Sequence, residues 1–174
     1  MGICGQCAVA TDADGCAHFT WDVSHELTVM NQAPQALAAA TKPDSQAPLL
    51  TLDKLYELKL SPQAAVMYAA KPAKPAKPAK PTLNDSAQGG LVRFHVDKSG
   101  IYRISITSGH WIDVVDGHHL VKSKDFQGSH GCQRPQKIVE FDLAAGKDFV
   151  LQFSGSAEPT VLMAITLVDT PAAG

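Results

Sequence analysis

Between His110 and Cys132 the chain gathers His110, Asp113, Asp116, His118, His119, His130 and Cys132. It is the stretch richest in side chains that bind metals or move protons. Two histidines and a carboxylate converging on one face, with open positions beside them, form the ligand set of a mononuclear non-haem iron site. Local structure limits which of these residues can meet. Asp116-Gly117 between two apolar runs predicts a two-residue hairpin with a type I′ turn. That register sets Val115 against His118, Val114 against His119, Asp113 against Leu120 and Trp111 against Lys122. Neighbours on a strand point to opposite faces, so His118 and His119 cannot both ligate one metal. Ile112, Val114, His119 and Val121 share the face expected to meet the core. Trp111, Asp113, Val115, His118, Leu120 and Lys122 share the other.

That second face is the candidate binding surface. Trp111, Asp113, His118 and Lys122 combine a stacking ring with acceptors and a cation. Such a set suits a glycan or a protein partner. The same residues equally describe an ordinary outer sheet face whose Trp is covered by the N-terminal arm. The metal alternative takes His118 with Asp113, or His130 with Cys132 at His-x-Cys spacing. A Cys132 held in a disulfide cannot also be a ligand, so the two ideas compete. No cofactor is expected on the first reading; a transition metal ion is the alternative.

No residue is assigned a catalytic role. There is no Gly-x-Ser-x-Gly elbow and no Gly-rich phosphate loop. His25-Glu26 lacks the second histidine of a zincin helix.

The four cysteines are Cys4, Cys7, Cys16 and Cys132. Cys4-Gly-Gln-Cys7 has redox-pair spacing, but no strand can precede residue 4 to set a low-pKa thiol at a helix N-terminus. Zinc at Cys4 and Cys7 lacks a second ligand pair. Cys16 and Cys132 each sit beside a glycine in loop-like sequence, and a bridge between them would staple the arm to the body. Closing so long a loop is worth about 4–5 kcal/mol in the chain-entropy account.

The 174 residues suit one compact domain with extras, or two small ones. A net charge of −2 argues against nucleic acid as a partner. No apolar run reaches the ~18 residues of a membrane span. Ala8-Val9-Ala10 has the small-x-small form of a leader cleavage site without the charged and apolar regions before it. Residues 1–15 are therefore expected to be a leader remnant or flexible arm.

Phe19 to Gln32 reads as a short helix, capped by Asp22 or Ser24. Ala33 to Pro48 reads as irregular, completing a helical arm over 16–48. Strand alternation follows at Tyr56–Leu60, then a Ser61-Pro62-Gln63 turn and a short Val66–Tyr68 strand. Alternation returns at Val92–Val96, Tyr102–Ile106, Val139–Leu143, Phe149–Phe153 and Val161–Leu167. With the hairpin of Trp111–Val115 and His118–Lys122, that makes about nine strands; Asp125 to Pro135 reads as a loop. Close strand spacing without intervening helices predicts an all-β fold, an antiparallel β-sandwich or jelly roll with a short N-terminal helix.

Lys71 to Pro81 repeats Lys-Pro-Ala. Proline at every third position fixes φ and removes donors, so polyproline II is expected, with its lysines along one edge. The repeat first suggests a spacer between domains. The strands before it are too few to bury a core alone. It is better read as a loop insertion over 71–90 within one domain spanning 16–174.

Val92-Arg-Phe, Gly100-Ile-Tyr-Arg-Ile-Ser-Ile, the Asp116-Gly117 hairpin, Val139-Glu-Phe-Asp-Leu and Leu151-Gln-Phe-Ser-Gly resemble the bacterial pre-peptidase C-terminal type of jelly roll. The whole chain is also similar to a group of small exported proteobacterial proteins. That pattern pairs Cys16, Phe19 and Trp21 with Trp111–Val115 and Cys132. Some of that group carry a dioxygenase label, and no established activity follows from the likeness. The resemblance implies export to the periplasm or beyond, a β-sandwich and a Cys16–Cys132 bridge. The expected function is that of a non-catalytic binding or assembly module. The alternatives are a metalloprotein using the segment 110–132 and a structural subunit of a surface assembly.

Overall fold

The structure is a computed structural model describing residues 19–43, 46–72, 87–128 and 135–168. The cysteine pairing, His130 and most of the Lys-Pro-Ala repeat lie outside these residues.

One helix, α1 (Ser24–Met30), precedes β1 (Gln35–Ala38), β2 (Leu49–Leu50), β3 (Tyr56–Lys59) and β4 (Ser61–Pro62). A 3-10 turn follows at Gln63–Ala65. Then come β5 (Gln88–Val96), β6 (Gly100–Ile106), β7 (Trp111–Asp116) and β8 (His119–Val121). The last four strands are β9 (Asp125–Gly128), β10 (Lys137–Leu143), β11 (Lys147–Ser156) and β12 (Thr160–Leu167). The all-β expectation holds, with twelve strands among the described residues.

The strands form two sheets. The first runs β1-β3-β12-β6-β10-β9; the second runs β2-β5-β11-β7-β8, with β4 also paired to β5. Both sheets are mixed rather than purely antiparallel, because β1 lies parallel to β3 and β2 parallel to β5. Alternate side chains of both sheets enter one continuous core. Tyr102, Ile104, Phe141 and Met163 come from the first, and Phe94, Val114, Leu151 and Phe153 from the second. Period-two alternation is what lets each sheet hide one face this way.

Several local expectations need correction. The stretch read as irregular, 33–48, contains β1, and Ala40 bridges Leu91. Ser61-Pro62 is a strand rather than a turn, at a sheet edge where Pro does no harm. Val66–Tyr68 is not a strand but runs across the second sheet. The expected loop from Asp125 contains β9, paired with β10.

Both outer faces are partly covered. On the first sheet, α1 and the chain before it bring Phe19 and Val23 onto Ile138, and Val29 and Met30 onto Leu55 and Ala164. Glu140, Arg103 and Thr166 sit opposite one another across β10, β6 and β12. Arg103 Nε donates to Glu140 Oε2 at 2.9 Å, and its Nη1 donates to Glu26 Oε1 at 3.1 Å. Thr166 donates to Glu26 Oε2 at 2.6 Å, and the Trp21 ring lies 4.8 Å from the guanidinium carbon. The helix starts late, and Asp22 accepts from the Ser24 amide at 3.0 Å.

On the second sheet, Tyr68 donates to the Phe153 carbonyl at 2.8 Å. The Gln152 amide exchanges two 3.1 Å bonds with the backbone of Ala70. This close crossing requires Gly89: a Cβ there would sit 2.3 Å from the Tyr68 hydroxyl oxygen and 2.6 Å from the Phe153 carbonyl oxygen. Burial, and then the charge of Asp113, push the Tyr68 phenol well above the usual tyrosine range.

Candidate functional site

The two sheets end together on one side, with β8 the last strand of one and β9 the last of the other. Only residues 122–124 join them. Both strands are short, and the described residues leave the inner faces behind them open. A cleft of about 400 Å³ opens there, within the range of small-ligand sites.

The pairing assigns its walls. Phe126 lies opposite Val139, so both point between the sheets, as do Lys137 and Phe141 two residues to either side. Ile112 and Val121 face them from β7 and β8. Trp111, Asp113, Leu120, Lys122 and Ser123 complete the lining. Trp111, Asp113 and Leu120 belong to the opposite face of β7 and β8 and border the cleft at its rim. Phe126 is 65% exposed, Leu120 39% and Trp111 38%. Only two other large apolar residues among those described, Leu49 and Met67, are exposed.

Trp111, Asp113 and Lys122 all border this cleft. Trp111 Nε1 donates to Asp113 Oδ1 at 3.0 Å, which turns the carboxylate toward the indole. His118 does not line this cleft. The hairpin is slipped by two residues: Val115 pairs with Leu120 and Asp116 with His119, leaving Gly117-His118 as the loop. Gly117 has φ +64°, as the first position of a type II′ turn requires. The slip sets Val114 against Val121 on the inner face and leaves His119 exposed rather than in the core. Two apolar partners across the strands replace the valine–histidine pair of the expected register.

Phe126, Lys137, Val139 and Phe141 were not singled out in the sequence. Val139 and Phe141 read simply as core. Phe126, a lone aromatic between Asp125 and Gln127, was the available signal for an edge strand.

Lys137 is a half-buried cation on the cleft wall, and Asp113 at the rim is buried. The Lys137 Nζ donates to the His110 carbonyl at 2.7 Å. Burial pulls the lysine pKa below its usual range. His110 is 0% exposed, and its Nδ1 lies 2.6 Å from Ser108 Oγ. Burial lowers the imidazole pKa; the Glu158 charge and the Gln88 carbonyl oppose that shift without reversing it. Among the described residues its Nε2 has no hydrogen-bond partner. Ser108 and His110 have nucleophile–base spacing, yet Ser108 is only 1% exposed, so no substrate reaches the hydroxyl.

Among the described residues, no three His, Cys, Asp or Glu side chains converge as a metal site. No helix among them is long and apolar enough to cross a membrane. The chain matches no protein-family model and no curated protein.

Proposed function

We propose that this protein is a non-catalytic binding module whose ligand enters the cleft between β7–β8 and β9–β10. The scaffold is read as a β-sandwich, which the core shared by both sheets supports; its likeness to the pre-peptidase C-terminal kind rests on the sequence resemblance alone. Export to the periplasm or medium is part of this proposal and rests on the resemblance alone. The observation that carries the binding reading is the gathering of exposed Trp111, Leu120 and Phe126 around one cavity. Exposed apolar side chains grouped about a concave surface mark recognition sites. The surface of the lining is mostly apolar, which favours an apolar ligand or ligand segment over a sugar.

The test uses the uncharged fluorophore N-phenyl-1-naphthylamine. Its emission should rise on mixing with the folded protein. Phe126→Asp, with an unchanged circular dichroism spectrum, should weaken binding at least tenfold, and Trp111→Ala should weaken it several-fold. Equal binding by folded Phe126→Asp sinks the proposal.

A further inference from the structure

Lys137 lies on the inner face of β10, two residues from Val139, and lines the cleft with Phe126 and Phe141. Its ammonium has one hydrogen-bond partner among the described residues, the neutral carbonyl of His110. The ion pairs found among those residues involve Arg93, Arg103, Lys147 and histidines, and none reaches Lys137. Asp113 borders the same cleft, but from the opposite face of β7 and with its carboxylate on the Trp111 indole. A half-buried ammonium with no counter-charge among the described residues is costly to the fold, and one bond to a carbonyl leaves two N–H donors to spare.

From this arrangement we infer that the cleft takes an amphipathic anion: an apolar chain or ring between Phe126, Val121 and Phe141, with a single negative head group on Lys137. Lys122, exposed at the rim, adds a second positive charge. The anion supplies a counter-charge that no described residue provides, where water is scarce, so its contact with the ammonium is strong. An uncharged analogue buries the same apolar surface and gains none of this.

This inference rests on the cleft being the binding site, and the experiment separates the two. Decanoate and decan-1-ol are each titrated against protein loaded with N-phenyl-1-naphthylamine at neutral pH. Decanoate should displace the fluorophore at a concentration at least tenfold lower than the alcohol. Lys137→Met should erase that preference while still binding the alcohol, and Lys137→Arg should keep it. Thermal melts of each variant confirm folding. Equal displacement by acid and alcohol, or a preference that survives in Lys137→Met, overturns the anion assignment and leaves the cleft reading standing. Failure of both ligands to displace the fluorophore overturns both.

Discussion

Arg103 on β6 lies directly across from Glu140 on β10, and its Nε donates to Glu140 Oε2 at 2.9 Å with both side chains buried. Glu26 from α1 closes on the same guanidinium, so a single arginine compensates two buried carboxylates and ties the N-terminal segment to the first sheet. Arg103→Met should strand both acids. Removing one partner of a buried pair costs about 3–5 kcal/mol. Urea unfolding should show a loss of that size, and a loss under ~1 kcal/mol would mean that the carboxylates reach water.

Acid should destabilise the fold through His110. Its pKa in the folded chain lies below the ordinary 6.5 because the ring is buried. The unfolded chain therefore binds the proton more readily, and stability is lost as pH falls through about 6.5 toward the lower folded value. His110→Gln should give a shallower loss between pH 7 and 5 than the parent chain, read from denaturation midpoints at each pH. Parallel curves would remove His110 from the acid response.

Lys137→Met should raise the melting temperature by a few degrees even as it abolishes selection for anions. The change removes a half-buried charge and keeps the length of the side chain; gains of about 0.5–2 kcal/mol are usual for relieving such local faults. A lower melting temperature would show that the bond to the His110 carbonyl outweighs desolvation.

Gly89→Ala should cost about 1–3 kcal/mol, since its Cβ would collide with a backbone carbonyl as well as with the Tyr68 hydroxyl. Adding Tyr68→Phe should recover only part of the loss, because the Phe153 carbonyl stays in place. Full recovery in a double-mutant cycle would assign the whole clash to the hydroxyl.

Shortening the Lys-Pro-Ala repeat should leave the fold intact. Both flanks are held on the second sheet: Ala70 by Gln152, and Ala87 through its carbonyl to the Gln63 amide at 2.8 Å. Halving a connecting loop changes closure entropy by only about 0.6 kcal/mol. Unfolding of the shortened chain, seen by circular dichroism, would give the repeat a role in the core.

The long central strands were legible in the sequence because each buries one face, and the alternation of Val92-Phe94-Val96 or Tyr102-Ile104-Ile106 records it. Strands β1, β2 and β9 were not legible. Their residues are mostly exposed or few, so burial leaves no period to read. The hairpin register differs from the expected one because Asp-Gly favours a turn locally while Val114 and Val121 decide the pairing from inside. Trp111, Asp113 and Lys122 could be chosen from residue type and strand parity. Lys137 could not, because a lysine before an apolar strand ordinarily reads as a solvated flank.

The brevity of β8 and β9 has a second consequence. A sheet edge is a row of unmatched N–H and C=O groups onto which another chain can add, seeding fibres. Here the two edges beside the cleft run for only three and four residues. Lys122 and Lys124 stand in the connection between them, where positive charge discourages stacking of copies. The gap between β8 and β9 thus denies a neighbouring molecule a strand long enough to polymerise on.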